Sequence, residues 1–322
     1  MSDRDRKNRG GKTTIIGWRC AENLSVNSSR TGKGADMKKW LINYATDHYG
    51  KTQKFNSWTG KHIAKFDEVI EYSPADLDVD FRRQHKEILA IPRLAGLALW
   101  KPYIMLKALA DIRDGDFLFY CDAGTFFVKS IDYIINTMGD GDIWVSDIGL
   151  IEKQWSKKET LILMNAWQEN ILESNQIQSG FIGIRKCARS IDFIQEWLEM
   201  CTDIRLIYGK TQMTEEDYYI AHREDQSILS ILCKLRRIKP HKDPTQYGKT
   251  PFMYACSERI FKEPQHHDAY KSIIYLHRKR KLSMGTLVRL ICYVVLPPRI
   301  IYLMGRKRLT QEKAYDPTAR KF

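Results

Sequence analysis

From Met37 onward, short apolar runs alternate with longer stretches whose apolar positions recur at helical spacing. Lys39 to Tyr44 reads as a first strand, and a helix is predicted around Gln53 to Lys65. Phe66 to Ile70 is a short strand, and Ser73-Pro74 opens a helix through about Ala90. Pro102 stands in the first turn of a further helix, where its missing N–H is not needed, and Asp114-Gly115-Asp116 ends it. The run Phe117 to Cys121 then predicts a buried strand that delivers Asp122. A helix from Ser130 to Met138 and a strand at Ile143 to Val145 continue the alternation. Past residue 150 come a helical stretch from Lys158 to Glu173, a strand from Ile177 to Ile184 and a helix from Ala188 to Met200. The polar stretch before Ile228, Leu229, Ile231 and Leu232 marks another helix start, and Ile273 to Leu276 a last strand. This order predicts an α/β fold with a mainly parallel sheet and helices on both faces. No internal repeat or linker divides it.

Candidate chemistry sits where that pattern breaks. Asp122, at the carboxyl end of an interior strand and followed by Ala123-Gly124, puts a carboxylate at the edge where open α/β sheets bind ligands. It suits a metal–diphosphate ligand, or else it caps a turn. Lys101 stands at a helix N-terminus, a place suited to an anion, unless it is an ordinary exposed lysine. Tyr44 and Thr46 close the first strand, where nucleotide-binding folds seat base and ribose. Gly180 and Gly183 permit close approach of a ligand or backbone within their strand. Asp225 either caps its helix or faces a substrate. His277 follows the last strand.

Charge places the tail apart from the domain. The net charge is +13, yet no acid lies between Asp268 and Glu312, and ten lysines and arginines there account for all but three of that excess. A nearly neutral domain without a basic reading face argues against nucleic acid. In the tail, Met284, Leu287, Val288, Ile291, Val294 and Val295 share a helical face behind four consecutive basic residues, before Pro297-Pro298. That pattern predicts a helix lying on an anionic membrane surface, the alternative being a core-packing terminal helix. Its longest uncharged run is far short of a span. Seven cysteines without Cys-x-x-Cys spacing, and no signal peptide, predict a reducing cytoplasm. Residues 1–36 are polar and predict a disordered leader, so that Met37 could itself begin translation. Gly10-Gly11-Lys12-Thr13 is not a P-loop, since Arg6 stands where the first glycine is required and no strand precedes it.

The segment Trp100-Lys101-Pro102-Tyr103-Ile104, followed by Tyr120-Cys121-Asp122-Ala123-Gly124, resembles the GT-A glycosyltransferases of bacterial capsule and O-antigen (lipopolysaccharide) synthesis. Four segments in the right order carry the resemblance, over roughly Met37 to His277. It implies a Rossmann-like GT-A domain at 37–281, its nucleotide-binding half at 37–150 and its acceptor half at 151–281, while the basic amphipathic pattern itself predicts a membrane-associating tail at 282–322. It implies transfer of a sugar, a hexose above all, from a nucleotide-sugar donor to a lipid-linked saccharide at the inner face of the cytoplasmic membrane. A non-catalytic nucleotide-sugar or polysaccharide-binding subunit is the alternative. By the same resemblance Tyr44, Thr46, Arg93, Lys101 and Asp122 bind the donor. Gln178, Ser179 and Gly180 lie beside donor sugar and acceptor, Asp225 holds sugar hydroxyls, and Gln226 lies near the reacting carbon. Asp122 and His277 would hold a divalent metal, Mn²⁺ by the chemistry of imidazole and carboxylate. Gly124 stands where the family's Asp-x-Asp signature has its second acid. Arg278 and Lys279 could neutralise diphosphate instead.

Overall fold

A computed structural model describes residues 36–250, 262–280, 283–297 and 300. The expected leader lies outside these residues, as does most of the tail beyond Pro297. Seven strands are described: β1 Lys39–Tyr44, β2 Glu68–Tyr72, β3 Phe117–Cys121, β4 Thr125–Phe127, β5 Ile143–Ile151, β6 Asn175–Arg185 and β7 Ile274–Leu276. Five of them form one sheet in the order β2-β1-β3-β6-β5. β1 is parallel to β2 and β3, and β6 runs antiparallel to both β3 and β5. The expected mainly parallel α/β architecture is therefore the observed one.

The helices that frame the site are α1 Gly50–Thr59, α2 Trp100–Asp111, α3 Asp132–Met138, α4 Ala188–Cys201, α5 Asp225–Leu235 and α6 Met284–Val295. β3 is apolar throughout because both its faces are covered, as interior strands require. Leu118 and Tyr120 join Ile42, Ile182 and Ile184 beneath α2, α4 and α5. Phe117, Phe119 and Cys121 join Leu41 and Phe181 against Ile131, Ile134 and Met138 on the other face.

A second, two-stranded sheet pairs β4 with β7 antiparallel, Phe126 opposite Tyr275. It brings the chain after residue 270 back beside the turn that follows Asp122. A buried polar network fastens that turn from below. Asn43 donates to Asn56 at 2.8 Å, Asn56 to Thr125 Oγ1 at 2.9 Å, and Thr125 to the Asp122 carbonyl at 2.8 Å.

Three predicted elements differ. The helix expected from Ser73 to Ala90 is broken into Pro74–Asp76, Val79–Gln84 and Lys86–Leu89, because Ser73 and Asp76 close a capping box within one turn. The stretch from Lys158 to Glu173 splits into Lys158–Leu163 and Glu169–Leu172, with Asn165 at φ 54° between them. β5 continues to Ile151 because the long β6 gives it a partner as far as Asn175. In α6, Leu290 is buried and Leu287 half-buried against Phe126 and Tyr275, while Met284 and Val288 are exposed. Part of the apolar face anticipated there thus packs on the domain. The side chains of Ile291, Val294 and Val295 are outside the described set. Among the described residues no helix is long and apolar enough to cross a membrane.

Candidate active site

Lys101 is the centre of the candidate site. α2 starts at the carboxyl edge of the sheet, so its first turn carries this ammonium over the end of β3 and the middle of β6. Lys101 is 5% exposed, with Nζ 2.8 Å from Asp225 Oδ2 and 3.9 Å from Asp122 Oδ1. It donates to Ser179 Oγ at 3.0 Å and to the Ser179 carbonyl at 3.2 Å. Burial works against the ammonium, but Asp225 and then Asp122 outweigh it and hold Lys101 above its ordinary range. Burial pushes Asp225 up, against the pull of Lys101. We take the pair as ionised, because a carboxylate at 2.8 Å is the only arrangement that offsets so deeply buried an ammonium.

Asp122 differs from Asp225 in reach: its side chain is 44% exposed, against 3%. Tyr120 donates its hydroxyl to Asp122 Oδ1 at 2.6 Å. Tyr120 belongs to the segment that carries the resemblance but has no site role from sequence, although residues two apart at a strand end share a face, which points to it. Burial first, and Asp122 next, raise the phenol so that it stays protonated and donating. Gly180 lets the Asp122 carboxylate lie close over β6. A Cβ on Gly180 would stand 3.1 Å from Asp122 Oδ2.

Of the other sequence candidates, Ser179 and Gly180 adjoin Lys101 and Asp122, whereas Gln178 does not. Neighbours on a strand face opposite ways, and Gln178 donates to Ser146 at 2.8 Å. Tyr44 stacks on Trp100 with centroids 3.7 Å apart, next to Lys101 in sequence, and burial lifts its phenol to about 12. Thr46 precedes the turn Asp47–Tyr49 without a side-chain cap. Gln226 donates its side-chain amide to Gln176 Oε1 at 2.7 Å rather than to Asp122.

Asp225 is the first residue of its helix rather than the N-cap, which is Glu224. It is presented by a turn in which Gln226 N–H donates to the Arg223 carbonyl at 2.9 Å. Glu224 holds the first central position at φ 47°, ψ −122°, the backbone of a type II′ turn, which ordinarily takes glycine. Glu224 is buried, and Arg93 grips it with a bidentate ion pair, Nη2 to Oε2 at 3.2 Å. Arg93 itself leads into five consecutive residues of positive φ, 94–98, with Gly96 alone suited to it. Leu97 and Ala98 N–H donate four residues back, closing a left-handed helical turn. Such residues cost on the order of 1 to 2 kcal/mol each. Neither strained turn was expected from sequence.

His277 reaches the site through β7. Its N–H and that of Arg278 both donate to the Gly124 carbonyl at 3.0 Å. A Cβ on Gly124 would meet Arg278 Cα at 3.3 Å, so a second acid there would have to push the 278 backbone back by a few tenths of an ångström. Arg280 lies 5.9 Å from the Tyr49 ring, which carries the basic run across to the end of β1. Burial pushes His277 down to about 4, so the ring is neutral. Its Nδ1 accepts the Lys279 N–H at 3.0 Å, which puts the proton on Nε2. His277 thus offers a donor and not a lone pair. Asp122 and His277 as held do not fit a divalent metal, and among the described residues no cluster of three His, Cys, Asp or Glu does. A cleft of about 240 Å³ opens further along the same edge, between Asp147, Lys242, Tyr247 and His266.

No family model and no curated protein matches the sequence. Among solved structures, the chain is similar to mouse xyloside xylosyltransferase 1 at 10% identity and a TM-score of 0.41, over 74% of this chain and 98% of that one. It is similar to the galactosyltransferase LgtC in complex with donor and acceptor sugar analogs at 12% identity and a TM-score of 0.42, over 74% and 87%. For the glycosyltransferase GlyE of Streptococcus pneumoniae TIGR4 the values are 10% and 0.37, over 84% and 64%. At such scores the likeness carries no argument about what this chain does.

Proposed function

We propose that the protein is a glycosyltransferase of the GT-A type. It would transfer a hexose from a nucleotide-sugar donor to a lipid-linked saccharide in capsule, O-antigen or lipopolysaccharide synthesis. The observation that carries this reading is the convergence on Lys101 of Asp122, Ser179 and Asp225, each nominated from a separate segment of the sequence.

In this reading the nucleotide lies over Tyr44 and Thr46, Asp122 accepts from a hydroxyl of the donor's ribose or sugar, and the diphosphate lies against the basic run 278–280. Charge grows on the leaving diphosphate as the glycosidic bond breaks. Preset donors and cations, Lys101, His277 Nε2–H and Arg278, then stabilise it more in the transition state than before. Tyr120 keeps Asp122 oriented toward the donor. Asp225 and Ser179 accept and donate hydrogen bonds at the sugar hydroxyls. The cleft by Asp147 and His266 is the place for the acceptor saccharide. The tail, through its basic residues and the exposed Met284 and Val288, holds the enzyme at the inner leaflet near a lipid-anchored acceptor.

The test is a thermal-shift and hydrolysis screen against UDP-, GDP-, CMP- and dTDP-sugars, each with Mn²⁺ and with a chelator. Stabilisation and slow hydrolysis with one donor family are expected, and most of the hydrolysis should survive chelation. Stabilisation without turnover, even with saccharide lipids added, would establish a binding subunit instead. No stabilisation by any donor would end the proposal. Deleting everything after Lys281 should leave hydrolysis intact while abolishing flotation with anionic vesicles.

A further inference from the structure

We infer that Arg93 and Glu224 form a clamp whose work is to position Asp225. Both are positioning residues rather than catalytic ones, and the inference rests on the reading of Asp225 as a sugar contact. Glu224 occupies a backbone position, φ 47° and ψ −122°, that glycine fills without strain. A glutamate is held there with its side chain 4% exposed, against Arg93. The turn alone does not need that carboxylate. What it does is tie the residue immediately before Asp225 to the residue immediately before the left-handed turn 94–98. That turn in turn ends against α2, whose Lys101 N–H donates to the Ala98 carbonyl at 2.9 Å. Trp100 Nε1 also donates to the Leu94 carbonyl at 3.0 Å. The two halves of the Lys101–Asp225 pair therefore arrive on separate strained turns, and the Arg93–Glu224 ion pair joins those turns a second time.

The fork geometry of the pair fixes orientation as well as distance. Asp225 enters a site where its carboxylate has almost no freedom, and a displacement of about an ångström would remove it from Lys101 and from a bound sugar. Arg93, which the resemblance would send to the donor, is engaged with Glu224 instead. Its guanidinium is 39% exposed, so it can be hydrated once Glu224 is gone. Removing the carboxylate therefore does not strand a buried cation.

The test uses full-length protein with Glu224→Gly, Arg93→Ala and the double variant. Glu224→Gly relieves the turn, so it should unfold within a few degrees of wild type. It should lower kcat by about thirty-fold while changing the KM for the donor less than about threefold. Arg93→Ala should lower kcat alike, with a lower unfolding temperature because it leaves the buried Glu224 carboxylate without its counter-charge. The double variant should be no worse in kcat than either single one, since residues acting as one unit are not additive. An unchanged kcat, or losses that multiply, would overturn the clamp. Hydrogen exchange separates this outcome from failure of the glycosyltransferase reading. In either single variant the amides of 94–99 and of 225–228 should both exchange about tenfold faster, whether or not any donor is turned over. If only the segment bearing the substitution responds, no clamp exists.

Discussion

Two carboxylates meet at Lys101, and they are built on opposite principles. Asp122 comes from a relaxed strand end, is nearly half exposed, and shares its charge with the Tyr120 hydroxyl 2.6 Å away. Asp225 comes from a strained turn, is buried, and faces the ammonium directly. The exposed acid can exchange its partners for a ligand's. The buried one is fixed, so it can meet a ligand only from the position that Lys101 and its own turn give it. The difference separates a carboxylate that can adjust from one whose position is set in advance.

The sharpest way to break this comparison is Lys101→Met. It leaves Asp225 buried without its counter-charge, so thermal unfolding should report a loss of about 3 to 5 kcal/mol, together with loss of transfer. A stable Lys101→Met protein would mean that Asp225 is already protonated. Asp122→Asn is the complementary experiment. Its stability should stay within about 1 kcal/mol of wild type, while transfer falls by about a hundredfold or more. Wild-type transfer in that variant would remove Asp122 from the site. Asp225→Asn should lower turnover much more than nucleotide affinity, which steady-state kinetics and calorimetry on one preparation will resolve.

Acid should distinguish the two sides by a smaller effect. His277 beside the Asp122 turn is pushed down to about 4, and His222 before the Asp225 turn to about 3, in both cases mainly by burial. Unfolded, both titrate near 6.5. Between pH 6.5 and about 4 the unfolded chain binds protons that the folded one refuses. Stability is therefore full above pH 6.5 and falls with acidification, by on the order of 2 kcal/mol per histidine at pH 5. Urea unfolding at pH 7 and pH 5 measures it, and His277→Gln and His222→Gln should each flatten part of the slope. The smallest effect is that of Gly180→Ala. Its Cβ would crowd Asp122 Oδ2 at 3.1 Å, so transfer should drop by a few-fold with little change in unfolding. An unaltered rate would show that the Asp122 carboxylate does not need that position.

The side of the site that was legible in sequence is the relaxed one. An uninterrupted apolar strand, a terminal acid and a glycine are local signals, and they delivered β3, Asp122 and the start of α2 at Lys101. The strained side was not legible. Leu94-Ala95-Gly96-Leu97-Ala98 has one glycine for five left-handed residues, and Glu224 contradicts the preference of its own turn. Such conformations are imposed by tertiary contacts, which no local pattern reports. The same applies to Gln178. Strand periodicity could say that it and Ser179 face apart, but only the pairing of β6 with β5 decides which of them meets Lys101. His277 was legible as a neighbour of the site. Its proton was not, since that depends on the Lys279 N–H at Nδ1.

The pairing of β4 with β7 also has a consequence for synthesis. Thr125–Phe127 waits for a partner that lies nearly half the chain further on. On the ribosome β1, β2, β3, β5 and β6 can assemble, and Asp122 can meet Lys101, while β7 is still untranslated. During that interval β4 is an unpaired edge bearing Phe126 and Phe127, open to pairing with another nascent chain. The Gly124 carbonyl receives His277 and Arg278 only when that late segment docks. Closure of the turn after Asp122 thus waits on synthesis of the segment that carries β7, and the exposure of β4 as an edge lasts until then.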